Sequence, residues 1–353
     1  MSQDQITGGE PAHRRRVRYS GTHPKAFNEK YKELQPEKYA VDVAKVISKG
    51  RTPVGMHIPI CVSEILEILK IEPGQTGLDA TLGYGGHTLE MLKCLNSSGR
   101  LYALDVDPFQ LPKTRDRLKH LGYGPEILNI RQMNFSDIDK IAAEVGPFDF
   151  VLADLGVSSM QLDDPERGFS YKAEGPLDLR LNPKEGISAA ERLKEMTRDE
   201  IEGMLADNSD EPYYAVIARA IVYNIEKGNE ITTTTQLRYI ISEALKAIPK
   251  ISEEDKNKSC RRCFQALRID VNSEFEVLEE FLEKLPGALN EGGRVAILSF
   301  HSGEDRLVKK SFKNYFREGV YREIAPDPIR PSSEECYNNS RAHSAKLRWA
   351  VKA

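Results

Sequence analysis

The segment Asp79-Ala80-Thr81-Leu82-Gly83-Tyr84-Gly85-Gly86-His87-Thr88 places three glycines between an apolar run and a helical pattern. A turn of this kind lets backbone N–H groups approach a ligand above the N-terminus of the next helix. The dinucleotide fingerprint G-x-G-x-x-G would need glycine at 88, where Thr88 stands. G-x-G-G suits a ligand without a pyrophosphate, such as S-adenosylmethionine. Asp105-Val106-Asp107-Pro108 follows the next apolar run. An acid at such a strand end can accept both hydroxyls of a ribose. That diol is common to adenosylmethionine and NAD, so the acid alone does not choose between them. Asn134-Phe135-Ser136 comes after a third run, and its ring could cover an adenine face or sit in the core.

The second kind of chemistry concerns an acceptor. Asp154-Leu155-Gly156-Val157-Ser158-Ser159-Met160-Gln161-Leu162-Asp163-Asp164 leaves a fourth apolar run. Methylation of an amine needs hydrogen-bond acceptors on the NH2 group, so that the nitrogen lone pair is steered at the methyl carbon. A carboxylate and backbone carbonyls in a tight loop can do this without a metal. Asp154 is the candidate for that task, assisted by Ser158, with His301 as a further candidate. Arg167-Gly168-Phe169-Ser170-Tyr171 and Gly175-Pro176-Leu177-Asp178-Leu179-Arg180 are rich in turns, rings and arginines. Their rings could stack a flipped base while the arginines hold phosphates, or the stretch could be a packed surface loop. Phe264–Glu274, preceded by Arg261 and Arg262, and Ser299-Phe300-His301-Ser302-Gly303-Glu304-Asp305-Arg306 are expected at the same rim. Ser302 and Asp305, three apart, fit a helix N-cap pair better than a metal site. Cys260-x-x-Cys263 lacks a second ligand pair, so no metal is expected.

These motifs need a scaffold that brings strand ends together. Strands are expected at 76–81, Leu101–Asp105, Glu126–Arg131, Phe148–Asp154 and Arg294–Ser299. Helices are expected at 61–70, 86–95, 109–121, 136–145 and 274–290. Such alternation predicts an α/β fold with a parallel sheet covered on both faces. It is interrupted after Asp154 by segments that read as helix and loop, with helices at 188–205, 212–227 and 235–247. The alternating Lys346–Val351 could close a sheet edge.

The 353 residues are 40% hydrophobic and 29% charged, as in ordinary globular chains. No apolar run reaches membrane-spanning length, no secretory signal is evident, and five scattered cysteines argue against a disulfide framework. A cytoplasmic protein without membrane contact is the expectation. Residues 1–56 hold 11 Lys/Arg against 6 Asp/Glu, a balance of +5, while the whole chain carries −4, leaving −9 for 57–353. A basic leader on an acidic body fits local contact with nucleic acid. Residues 26–50 show helical spacing, and 50–55 break it.

Taken together, the chain resembles the bacterial 16S rRNA (cytosine-N4)-methyltransferase family (RsmH, also called MraW). The shared strings are His57-Ile58-Pro59-Ile60, Glu64-Ile65-Leu66, the glycine loop, D-x-D-P at 105–108, DLGVSS-x-QLDD at 154–164, RGFS at 167–170 and GPLDLRL at 175–181. FQALRI-x-VN-x-E at 264–274, SFHS-x-EDR at 299–306 and S-A-K-L-R at 344–348 continue them. The resemblance implies a Rossmann-like class I S-adenosylmethionine-dependent methyltransferase with a helical insert domain. Its parts would be a basic extension 1–56, a methyltransferase domain from 57–162 and 274–353, and an RNA-recognising insert at 163–273. It places the cofactor at Gly85, Gly86, His87, Asp105, Phe135, Asp154 and Gln161. It implies 16S rRNA or the small ribosomal subunit as partner, and it leaves a homodimer open. The chain departs from the family at 209–212, 258–262 and 339–344, where RNA contacts are expected, and in having the leader. A divergent paralogue follows from those departures. The competing readings are a silent cofactor-binding assembly factor, a methyltransferase with another nucleic-acid target, and a dehydrogenase.

Overall fold

The computed structural model of the chain describes residues 59–353. The basic leader, the helix expected at 26–50, the break at 50–55 and His57-Ile58 lie outside the described residues. The chain enters through α1 (Val62–Leu69), which buries Ile65 and Leu69. Then come β1 (Thr76–Asp79), α2 (Gly86–Leu95), β2 (Arg100–Asp105), α3 (Gln110–His120), β3 (Leu128–Gln132), α4 (Ile138–Val145) and β4 (Phe148–Asp154). A short α5 (Ser159–Asp163) leads into α6 (Ala189–Glu195), α7 (Arg198–Ser209), α8 (Tyr214–Glu226), α9 (Thr234–Leu245) and α10 (Glu253–Asn272). The chain returns through α11 (Glu274–Ala288), β5 (Leu289–Ser299), α12 (Ser302–Arg317), β6 (Tyr321–Ile324), α13 (Ser333–Asn338) and β7 (Lys346–Lys352).

The strands form one seven-stranded sheet in the order β3-β2-β1-β4-β5-β7-β6. β1 to β5 are parallel, and β7 runs antiparallel to both β5 and β6. The order reverses between β1 and β4, and in such sheets ligands bind beyond the carboxyl ends of the strands at that switch point. β4 lies at the centre with Phe148, Phe150, Val151, Leu152 and Ala153 fully buried, which explains its apolar run from Phe150 to Ala153. One apolar layer, with Ile141, Phe281, Leu285 and Phe312, covers one face; the other, with Ile65, Met91, Leu95 and Leu118, covers the opposite face. Residues 169–267 build a third apolar cluster of their own around Leu193, Ile217, Leu237 and Phe264.

The departures from expectation are local. The helix expected at 188–205 is two helices, because Thr197 accepts from the Glu200 N–H and receives its carboxylate in return, starting α7 afresh. β5 begins at Leu289 rather than Arg294, its early part carrying a register shift opposite Phe148–Phe150. β6 is four residues with charged Arg322 and Glu323 exposed, too short and polar to read as a strand. The cap of α12 is one residue earlier than the Ser302–Asp305 pair: His301 and Glu304 form the reciprocal box.

Candidate active site

The site is assembled from strand ends. β1 finishes at Asp79, and the chain turns through Gly83 (φ 50°) and Gly85 (φ 73°) into α2. Both glycines hold left-handed backbone, which L-side chains resist. A Cβ on Gly85 would stand 3.0 Å from Thr114 and Leu118 of α3, and one on Gly86 would stand 2.6 Å from Pro59. Close packing therefore demands these glycines before any ligand is considered. Asp105, at the end of β2, accepts from the Gly83 N–H and the Asp107 N–H, both at 2.8 Å. It thus fastens the glycine loop to the neighbouring strand. Its burial pushes its pKa up to about 6, against backbone hydrogen bonds that lower it. Phe135 opens the turn after β3 and meets Phe281 edge-on at 5.2 Å. It is partly buried against the core layer.

Asp154 ends β4, and its N–H donates to Thr81 Oγ1 at 2.6 Å. Its Oδ2 is 3.4 Å from His87 Nδ1, and its Oδ1 is buried with no hydrogen-bond partner. His87 Nε2 lies 2.9 Å from the Ile60 carbonyl. Both ring nitrogens thus face oxygen acceptors, an arrangement that suits the doubly protonated imidazolium. Burial opposes that charge, but the hydrogen bond and attraction of Asp154 outweigh it and raise the His87 pKa. Deeper still, Asp79 is buried and accepts from Thr88 Oγ1 and the Thr81 N–H. Burial raises its pKa despite those bonds. The structure therefore brings Asp154, His87 and the glycine loop together, with Asp105 tied to the same loop.

The other expected site residues are held by contacts within the chain. Ser158 caps α5: its Oγ accepts from the Gln161 N–H, and its own N–H donates to Gln161 Oε1. Its hydroxyl also donates to Gln110 Oε1 at 3.0 Å. Gln161 Nε2 donates to Asp107 Oδ2 at 2.7 Å. Ser158 and Gln161 are thus held in a buried polar network that shapes the loop after Asp154. His301 caps α12, its Nε2 is 3.2 Å from Glu304 Oε1, and its ring lies 5.7 Å from Phe275. Glu274, His301 and Glu304 offer ligand atoms within 4.8 Å of one another. Arg268 already holds both carboxylate oxygens of Glu274, at 2.7 and 2.9 Å, and supplies the positive charge there.

The arginines expected to hold phosphates are engaged by groups of the chain itself. Arg167 donates to Asp107 Oδ2 at 2.6 Å and to the Arg180 and Leu181 carbonyls. Asp107 is fully buried, and a buried carboxylate needs a paired cation. Arg180 is taken by Asp178 through two bonds. Phe169 is 5% exposed, so it packs rather than stacking a base. Of the motif departures expected at an RNA face, Asp210, Pro212, Arg261, Ser340, His343 and Ser344 are exposed, whereas others turn inward. Glu211 is 1% exposed and accepts from Ser259 Oγ at 2.9 Å, while Cys260 and Cys263 lie in the 169–267 core with thiol pKa values raised by burial. Asp107 and Arg167 form a buried ion pair beside the site that spacing alone missed; their sixty-residue separation gave no local signal.

Residues 55–353 match the model of the MraW methylase family. A protein named ribosomal RNA small subunit methyltransferase H 2, from Alkaliphilus metalliredigens, is 72% identical over 98% of this chain and 99% of its own. The like-named H 1 protein of Lachnoclostridium phytofermentans is 67% identical over 98% of this chain and 94% of its own. Ribosomal RNA small subunit methyltransferase H from Acidobacterium capsulatum is 37% identical and covers 84% of this chain and 98% of its own. The first two relatives thus extend across nearly the whole chain, whereas the third leaves part of it unmatched.

Proposed function

The chain belongs to the MraW methylase family, and from that premise we propose that it methylates the exocyclic N4 amine of a cytidine in small-subunit ribosomal RNA, using S-adenosylmethionine. The observation that carries this reading is the Asp154 carboxylate at the switch point, gripped on one oxygen by His87 and carrying a buried, unpartnered Oδ1 on the other. Such an acceptor calls for an N–H donor from outside the chain. The ammonium group of S-adenosylmethionine and an exocyclic amine both supply one. Asp105 suits the ribose diol, and the loop at 83–87 suits a ligand that carries no pyrophosphate. The residues present therefore fit the cofactor.

When bound, S-adenosylmethionine supplies a methyl group activated on a sulfonium, and its transfer leaves a neutral thioether. Little covalent work remains for the protein, so its task is orientation. Well-oriented reactants can gain roughly 7–11 kcal/mol over free encounter. Asp154 accepts an N–H of the amine and turns the nitrogen lone pair toward the methyl. Its position is fixed by Thr81 at the backbone and His87 at the carboxylate. The methylated nitrogen becomes acidic as the bond forms, and its proton passes to a carboxylate or to water. Ser158 and Gln161 act as positioning residues, because their polar atoms are engaged in the loop that follows Asp154. His301 anchors α12 at the neighbouring strand end. Residues 163–273 are assigned to RNA recognition. A silent assembly factor is disfavoured, since the crevice keeps its Asp154–His87 contact and the unpartnered Asp154 Oδ1.

The test supplies isotopically labelled cofactor with small-subunit rRNA and compares the wild type with Asp154→Ala. Removal of one positioned catalytic group is expected to slow transfer by about 10²–10⁴-fold. Full transfer by the variant would remove Asp154 from the mechanism.

A further inference from the structure

The solvent face of α12 is basic along its whole length. Arg306, Lys310, Lys313 and Arg317 are all exposed and recur at i, i+4, i+7 and i+11, opposite the buried Val308 and Phe312. At 1.5 Å per residue the stripe spans about 16 Å. The acids of this helix, Glu304 and Asp305, are turned inward and buried. Arg306 lies 3.5 Å from Asp210. Lys310, Lys313 and Arg317 have no acidic partner among the described residues. An ordinary solvated helix face mixes both signs. This one concentrates a single sign on a body whose balance over 57–353 is −9.

A second observation lies at the C-terminal end of the stripe. An open groove of about 640 Å³ between α12 and the sheet edge is lined by Lys313, Phe316, Arg317, Ile324, Pro326 and Trp349, together with Arg322 and Glu323, which face each other at 3.7 Å. Phe316 is 46% exposed. Cations interleaved with accessible rings are what single-stranded nucleic acid needs: charges for the backbone and π-faces for the bases. The other end of α12 begins at Ser302, three residues beyond the end of β5 at the crevice rim. The stripe therefore leads from the candidate site to an aromatic groove.

We propose that the exposed face of α12 and the groove beside Trp349 form a second RNA-docking surface, which holds the single-stranded rRNA flanking the methylated nucleotide. The proposal rests on the reading that rRNA is the substrate. Lys310, Lys313 and Arg317 contact phosphates, and bases stack on Phe316 and Trp349. The surface meets the insert at Arg306, which lies against Asp210, and draws on residues that the methyl-transfer site does not use.

Trp349 is the chain's single tryptophan, so its fluorescence reports the groove directly. The experiment titrates the full chain with a single-stranded fragment of 16S rRNA at several salt concentrations, following both Trp fluorescence and methyl transfer. The expected result is quenching on binding. The triple variant Lys310→Gln, Lys313→Gln, Arg317→Gln should lower the slope of log affinity against log salt by about 2, at roughly 0.7 per lost phosphate contact. Phe316→Ala should weaken binding about tenfold, within the range for loss of one stacked base. Affinity for S-adenosylmethionine should stay unchanged in both variants, which shows that they fold. Wild-type transfer with unaltered slope, affinity and quenching in the variants would overturn the surface alone. RNA binding with quenching but no transfer by the wild type would overturn the functional reading and support the surface. Loss of a dimer in sedimentation, with RNA affinity kept, would assign this face to a second copy and overturn the proposal.

Discussion

At the scale of single residues, environment rather than type decides which acid does what. Asp79, Asp105, Asp107 and Asp154 are four aspartates around one crevice, and each has different partners. Asp79 is enclosed by Thr88 and Thr81, Asp107 by Arg167 and Gln161, and Asp105 by two backbone N–H groups. Only Asp154 keeps a buried oxygen without a partner among these. Asp105, pushed up to about 6, yields a pH prediction. The carboxylate is the form that accepts ribose hydroxyls, and it is lost as pH falls through that value. Affinity for S-adenosylmethionine, measured by calorimetry, should therefore weaken about tenfold between pH 7 and pH 5. Asp105→Asn should bind weakly and without that pH dependence; an unchanged pH profile in this variant would detach Asp105 from the diol. The sequence allowed Asp105 and Asp154 to be picked out because each ends an apolar run. It could not show that Ser158 and Gln161 bond to Gln110 and Asp107, which lie roughly fifty residues away in the chain.

At the scale of elements, the strand–helix alternation was readable because β4 and its neighbours are covered on both faces, which forces continuous apolar runs. β6 escaped notice because an edge strand of four residues with two exposed charges carries no such run. The break in the helix expected at 188–205 was present as Thr197 and Glu200, a capping pair inside an otherwise helical pattern. The link between the loop at 165–181 and α3 was not readable, because it runs through one buried ion pair. Arg167 is nearly buried and Asp107 fully so. Arg167→Met should leave that carboxylate uncompensated and destabilise the fold by about 3–5 kcal/mol in denaturant unfolding. Adding Asp107→Asn should recover part of the loss, as expected for partners in direct contact. Additive losses in the double variant would show that the two side chains act independently.

At the scale of the whole molecule, a doubly wound sheet supplies a switch point, and a helical cluster inserted after β4 lies next to it in sequence. Among the described residues no helix is long and apolar enough to cross a membrane. The chain's overall charge of −4 conceals a division between the basic leader and the acidic body, and within that body α12 offers a local basic face. Net charge alone would have argued against nucleic acid; its distribution argues for it. The most direct test of the account is mass-spectrometric mapping of nucleosides in small-subunit rRNA after reaction with the purified chain and S-adenosylmethionine. The account predicts a single new N4-methylcytidine, absent with Asp154→Ala. A methyl group on another atom, or none with the folded protein saturated with cofactor, would contradict it.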